Sequence, residues 1–252
     1  MDEIPYVFCR QVLSNFATEF QLTVKNEIPG AWATAAMFCV HSVRQLCTIL
    51  QFVDNQIRYV ISDNHGTYSV EDLSKMNVDH FTVSCLLTRA DIPIGNYLTM
   101  TEEFYTETFH PFLPRIVTRS TKVVITEPNR FLDIITEDSP LRHFVLFKRH
   151  KDMETIARHI LETVGDGIEL LIGGDTPLNW SEDVLTFATN HLFGGKLASL
   201  SLPRIDLVLA KRFAEHHAFG DQRNITLRGR RNFDVKDFER VALMACLGIE
   251  VI

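Results

Sequence analysis

The sequence predicts an α/β fold in which a helical and β-hairpin region precedes irregular, leucine-rich-repeat-like strand–helix units. The 252 residues are 46% apolar and 23% charged, which is typical of a globular chain and excludes a disordered or fibrous one. The first half contains helical spacings and one strand–turn–strand pattern, whereas short apolar runs alternate with amphipathic segments after residue 120. We therefore predict a helical segment at 1–45, a hairpin and helix region at 46–120 and a repeat region at 121–252.

Helical spacing and turn residues define the first elements. Apolar residues recur at helical spacing over 4–16, and Pro5 suits the first turn of a helix. Residues 21–28 show no clear helical pattern, and Pro29-Gly30 marks a turn before a second predicted helix at 32–43. The sequence therefore predicts two helices before the first strand.

A hairpin and a longer helical segment follow. The β-rich runs 46–53 and 57–61 are joined by a short polar turn, which is typical of a hairpin, and 81–87 is a third predicted strand. Residues 101–117 have a helical pattern, which Pro111 and Pro114 are expected to kink or split.

The second half alternates predicted strands with predicted helices. The strands are 123–125, 144–147, 168–172, 197–202, 225–227 and 249–252, and the helices are 153–164, 181–193, 205–219 and 233–247. The last four runs end 30, 25 and 25 residues apart, a spacing typical of leucine-rich-type solenoids. An ordinary open α/β sheet would give the same alternation, so both architectures stay open.

The alternation within these runs predicts a buried face and a partner-facing one. Residues pointing inward in one stack would be Leu170, Ile172, Leu200, Leu202, Ile225 and Leu227. Residues pointing outward, on the surface that a solenoid offers to partners, would be Glu169, Ser199, Ser201 and Thr226.

Charge is unevenly distributed along the second half. Residues 151–200 contain three Lys and Arg against eight Asp and Glu, whereas 201–252 contain nine against seven. Arg228, Arg230 and Arg231 belong to the basic cluster of the last segment, which would steer an acidic protein partner or simply solvate the outer surface. We include them in the possible partner surface.

No pattern in the sequence predicts a catalytic, cofactor or metal site. His216-His217 are adjacent and would point about 100° apart on a helix, and Gly194-Gly195-Lys196 lacks the Ser or Thr of a phosphate-binding loop. Asp63 and His65 would be the residues of a cryptic hydrolase, but Asp63-Asn64-His65-Gly66 is more simply a turn. The sequence therefore favours a non-enzymatic protein.

Composition also bears on compartment and partners. The five cysteines are odd in number and include no C-x-x-C pair, and the first ten residues carry Asp2, Glu3 and Arg10 rather than a signal peptide. No apolar run has the length of a membrane span, and a net charge of −7 disfavours nucleic acid. We expect a reduced cytoplasmic or nuclear location, without membrane or nucleic-acid partners.

Short motifs along most of the chain resemble a large nematode-expanded set of F-box and F-box-associated proteins. They are the opening MDEIPYVFC with Val12; Trp32 with Ala35, Ala36 and His41; the segment YSVEDL at 68–73; and NWS at 179–181. The resemblance implies a non-enzymatic adaptor whose N-terminal segment docks on a Skp-type subunit of a cullin ubiquitin ligase, while the repeats recruit a target.

The resemblance also assigns residues to the adaptor-docking face. This face would consist of Ile4, Pro5, Phe8, Val12 and Leu13. Two alternatives to the adaptor stay open. One is a structural α/β protein in which the same apolar stripe packs on its own core, and the other is an enzyme with a cryptic site.

Overall fold

The structure, a computed structural model, describes residues 5–13, 16, 18–41, 43–53, 56–75, 81–88, 97–126, 135–148, 150–173, 180–219 and 225–234. The chain divides into two compact units, residues 1–123 and 124–252. The predicted regions 1–45 and 46–120 both belong to the first unit. Helices and strands occur in both units, so the predicted α/β class is confirmed.

Three helices form a small core at the start of the first unit. They are α1 (Tyr6–Leu13), α2 (Thr18–Glu27) and α3 (Ala31–His41), and their buried residues are Cys9, Leu13, Val24, Ala35, Ala36 and Cys39. Although residues 21–28 show no clear helical pattern, 21–27 belong to α2. Val24 is buried in this core, and Nε2 of buried Gln21 donates a 2.9 Å hydrogen bond to the carbonyl of Leu13, so tertiary contacts fix a helix of weak pattern.

The strands of the first unit are arranged around a hairpin. β1 (Arg44–Val53) and β2 (Gln56–Ser62) pair antiparallel, as predicted. β4 (Phe81–Thr88), also predicted, pairs parallel with β1. β3 (Thr67–Tyr68) and β5 (Leu98–Met100) pair antiparallel with β2, and the short helix α4 (Val70–Lys75) precedes β4.

The helical segment that follows β5 remains helical through both prolines. It consists of α5 (Glu102–Phe104), a π-helical turn (Tyr105–Phe109) and α6 (His110–Ile116). Within the π-helical turn, the N–H of His110 donates to the carbonyl of Tyr105, five residues earlier. Pro111 lies in the first turn of α6, where a missing N–H is tolerated, and α6 continues past Pro114, so the expected split does not occur.

The strands of the second unit lie side by side in chain order. They are β7 (His143–Phe147), β8 (Ile168–Gly173), β9 (Leu197–Ile205) and β10 (Thr226–Arg231), and β6 (Lys122–Ile125), which precedes them in the chain, spans the division between residues 123 and 124. The pairs β7–β8, β8–β9 and β9–β10 are all parallel. The helices α7 (Met153–Thr163), α8 (Glu182–Phe193) and α9 (Leu207–Phe219) connect these four strands, as predicted.

Three boundaries in the second unit differ from prediction by two residues or more. β9 continues past Pro203 to Ile205, so α9 begins at Leu207, where Asp206 Oδ1 accepts a 2.7 Å hydrogen bond from the N–H of Leu209. β10 extends to Arg231 instead of ending at residue 227, because its pairing with β9 continues. The predicted helix 233–247 and strand 249–252 lie outside the described residues, except for 233 and 234.

Candidate functional site

In the second unit, one face of the parallel strands is buried and the other is more accessible to solvent. All six residues predicted to point inward are buried, from Leu200 and Leu227 at 0% exposure to Ile225 at 7%. Of the residues predicted to point outward, Glu169 is exposed, and Ser199, Ser201 and Thr226 are half-buried. The predicted alternation is therefore confirmed for the inward set, and the outward set keeps access to solvent.

The register aligns the outward residues in two rows across the strands. In the first row Glu169 lies opposite Ser199, which lies opposite Thr226. In the second row Leu171 lies opposite Ser201, which lies opposite Arg228. Leu171 is 38% exposed, which is unusual for a leucine in a strand between two parallel neighbours. We call these six residues the outer strand face.

A contact between His143 and Glu169 continues the first row onto β7. His143 lies opposite Glu169 in the register, and its Nδ1 is 3.1 Å from Glu169 Oε2. The hydrogen bond with His143 lowers the pKa of Glu169 although burial opposes it, and the charge of Arg228 contributes in the same direction. Glu169 is therefore held in its charged form on the outer strand face.

The pairing of β9 with β10 contains a bulge beside the basic residues of β10. The register steps from Gly229 opposite Leu202 to Arg230 opposite Arg204, which leaves Pro203 without an opposite residue. Proline has no N–H to donate, so this unpaired position suits it. Arg228, Arg230 and Arg231 are all exposed, as the basic cluster predicts.

The polar cluster beside the ends of β7 and β8 was not predicted. Lys148 follows β7 and forms an ion pair with Glu154 of α7, whose Oε1 and Oε2 accept hydrogen bonds from the N–H and Oγ of Ser181 at 2.8 Å. Lys148 Nζ also lies 5.8 Å from the ring centre of Trp180, whose Nε1 donates to the carbonyl of Gly173. These polar groups satisfy one another, so the cluster joins α7 to the start of α8.

The residues of the predicted adaptor-docking face are in different environments. Ile4 lies outside the described residues. Pro5 is exposed, Phe8 is 51% exposed and Val12 is half-buried. Leu13 is fully buried in the three-helix core, so its inclusion in an accessible docking face is corrected: its side chain reaches a partner only if that core opens.

Other apolar side chains within residues 6–37 are also exposed, although they were not assigned to the predicted adaptor-docking face. They are Tyr6, Val7, Phe16, Phe20, Leu22 and Met37, each between 36% and 54% exposed. The rings of Phe16 and Phe20 are 4.6 Å apart, and Phe8 meets Trp32 edge to face at 6.3 Å. The helical spacing predicts α1 but does not distinguish its exposed aromatic residues, Tyr6 and Phe8, from the buried Cys9 and Leu13.

Asp63 and His65, the residues of the cryptic-hydrolase alternative, lie in a turn. Asp63 Oδ1 accepts hydrogen bonds from the N–H groups of His65 and Gly66, and the N–H of Asp63 donates to the carbonyl of Gly66. The interpretation of 63–66 as a turn is therefore confirmed. Among the described residues there is no group of three or more His, Cys, Asp or Glu arranged to hold a metal ion.

Comparison with known proteins adds no relative. No family model matches the chain, and no curated protein or solved structure is detectably similar to it. Within the part of the chain that the structure describes, every helix falls short of the length and apolar character needed to cross a bilayer.

Proposed function

We propose that the chain is a non-enzymatic protein-interaction module, with the outer strand face as its partner surface. The observation that carries the proposal is the alternation along β8–β10, which buries leucine and isoleucine on one side and leaves Glu169, Leu171 and Arg228 exposed on the other. Mixed charged, small polar and apolar side chains on a surface formed by parallel strands suit a protein partner. The exposed Arg230 and Arg231 favour an acidic one.

The finer architecture that we propose is an irregular leucine-rich-repeat-like stack. Three facts support it: the strand order of the second unit follows the chain, the neighbouring strands β7–β10 are parallel, and one helix connects each of these neighbours. In such a stack each unit buries its apolar side against the next, and the strand face is available to partners.

The role that we propose for this module is substrate recognition in a cullin-type ubiquitin ligase. The family resemblance supplies the role, and two observations support it. The N-terminal segment forms three packed helices, and Pro5, just before the first of them, and Phe8, on it, are accessible. Aromatic side chains that lose water at an interface contribute strongly to affinity, so Phe8 is the best candidate for contact with a Skp-type adaptor. We expect the complex in the cytoplasm or nucleus.

Quantitative affinity purification of the tagged full-length chain with a Skp-type adaptor present tests both surfaces. We expect Phe8→Ser to lower adaptor recovery by about tenfold or more, as for loss of an interface anchor. Asn26→Ser, at an exposed polar position of α2, is the control and should leave it unchanged. If the folded wild-type protein does not retain the adaptor, the ligase role is wrong.

The second arm of the same purification addresses the outer strand face. Arg228→Glu/Arg230→Glu changes one residue of the outer strand face and the next arginine of β10, and it should abolish recovery of the proteins that the wild type enriches, while the adaptor remains bound. Lys151→Glu/Lys211→Glu changes the net charge equally at exposed positions elsewhere in the second unit, and should retain them. If both double variants retain the same proteins, the strand face is not the partner surface.

A further inference from the structure

Two cysteines of the first unit lie side by side on neighbouring parallel strands. Cys47 of β1 is directly opposite Cys85 of β4. Both are free and half-buried, whereas Cys9 and Cys39 are buried in the three-helix core. Neighbouring strands are about 4.8 Å apart, and disulfides form between Cα atoms separated by roughly 4.4–6.8 Å, so the pair is within reach of a disulfide.

A bulge in β4 produces this juxtaposition. The register steps from Leu46 opposite Val83 to Cys47 opposite Cys85, so that Ser84 is the extra residue. Ser84 Oγ donates a 3.1 Å hydrogen bond to the carbonyl of Leu46, which stabilises the bulge. Without the extra residue, Cys47 would lie opposite Ser84, and Cys85 would point to the opposite face of the sheet.

The burial pattern shows that the bulge brings the thiols onto the same face. Leu46 and Val83 before the pair are buried, and so are Thr48 and Leu86 after it. Cys47 and Cys85 both face the other side of the two strands, where each retains access to solvent. A small oxidant can therefore reach them without opening the core.

The two thiols are chemically unequal. The side-chain hydrogen bond from Cys85 lowers the pKa of Cys47 to about 7, despite partial burial. The same bond, burial and the neighbouring Cys47 charge raise the pKa of Cys85, although Lys122 opposes the rise. Cys47 is therefore the thiolate that attacks first, and Cys85 is the thiol that follows. By contrast, burial raises the pKa of Cys39.

We propose that Cys47 and Cys85 form a peroxide-reactive dithiol, which closes to a disulfide between β1 and β4. The Cys47 thiolate attacks one oxygen of a hydroperoxide, the O–O bond breaks, and the leaving oxygen takes a proton to become water or an alcohol. The sulfur of Cys85 then attacks the sulfenic sulfur of Cys47. The S–S bond forms, the S–O bond breaks, and water leaves with the proton from Cys85. Two thiols are oxidised and one peroxide is reduced.

The test uses the reduced full-length protein and hydrogen peroxide. We expect intact-mass analysis to show the loss of two hydrogens and two titratable thiols, and peptide mapping to place the cross-link between Cys47 and Cys85. The rate of oxidation should rise with pH as Cys47 ionises near 7 and then level off. A cross-link elsewhere, or progression of Cys47 to sulfinic acid without a cross-link, would overturn the proposal.

Variants separate the two roles. Cys85→Ser should abolish the cross-link and leave a sulfenic acid at Cys47 that dimedone traps, whereas Cys47→Ser should abolish both products. Cys39→Ala is the control and should form the disulfide as the wild type does. Stoichiometric capture of a trivalent arsenical by the wild-type protein checks the dithiol without any substitution, and its failure would also contradict the proposal. These outcomes do not depend on the proposed interaction function.

Discussion

At the scale of single residues, Leu200 and Ser199 test the two faces of β9 directly. Leu200 is fully buried, whereas the preceding Ser199 is half-buried on the outer strand face. Leu200→Ala removes buried methyl groups and leaves a cavity, so we expect it to lower the free energy of unfolding by about 2–5 kcal/mol. Ser199→Ala removes one partly solvated hydroxyl, and we expect a change of about 0.5 kcal/mol or less.

Urea unfolding followed by tryptophan fluorescence measures this pair. The chain has two tryptophans, Trp32 in the first unit and Trp180 in the second. In a Trp32→Phe background the signal therefore comes from Trp180 and reports the unit that contains β9. Equal losses for Leu200→Ala and Ser199→Ala would contradict the assignment of the buried face.

At the scale of elements, the pairing of β10 with β9 depends on a close backbone approach at Gly229. A Cβ added there would lie 2.6 Å from the carbonyl oxygen of Leu202 and 2.9 Å from Cγ1 of Ile205. Gly229→Ala should therefore separate the strands and cost about 1–3 kcal/mol, as overpacking does. Gly66→Ala, where an added Cβ meets nothing within 4 Å, should cost about 0.5 kcal/mol or less.

Thermal unfolding by circular dichroism compares the two glycine variants. Because β10 carries Arg228, Arg230 and Arg231, Gly229→Ala should also weaken the partner binding that depends on these residues. A Gly229→Ala protein as stable as the wild type would show that β9 and β10 do not approach as closely as their register requires.

Elements with a strong period could be predicted from the sequence, and those fixed by tertiary contacts could not. Ile156 and Ile160 give α7 its apolar stripe, and both are buried. α2 was missed because Val24 and Gln21 are fixed by the other two helices, and the end of β10 was missed because Arg and Gly residues favour a strand only when β9 pairs with them.

Some parts of the candidate site could likewise be predicted from the sequence, and others could not. The period of two in the strands predicts which residues of β8–β10 are accessible, since alternate side chains point to opposite faces. The Lys148–Glu154–Ser181 cluster and the Cys47–Cys85 pair join residues of different elements. Their formation depends on strand order and on a bulge, neither of which a local pattern contains.

At the scale of the whole molecule, several titratable groups have pKa values that are lower in the folded chain than in the unfolded one. Burial lowers the pKa of His191 below its ordinary 6.5. Burial tends to raise the pKa values of Asp63 and Glu154, but hydrogen bonds outweigh it and lower both below their ordinary values. The donors include the N–H of His65 for Asp63, and Lys148 with Ser181 for Glu154. The hydrogen bond with His143 lowers the pKa of Glu169.

These shifts predict a loss of stability in acid that proceeds in two stages. Each of these groups binds a proton less readily in the folded than in the unfolded chain, so the free energy of unfolding falls as pH decreases. The His191 contribution is present above pH 6.5 and is lost as the pH falls from there through its folded pKa; the carboxylate contributions are lost from about 4.5 downward. His191→Gln should flatten the first stage and Glu154→Gln part of the second, in urea midpoints measured across this range. A wild-type midpoint that rises as the pH falls through either stage would contradict the sign of these contributions.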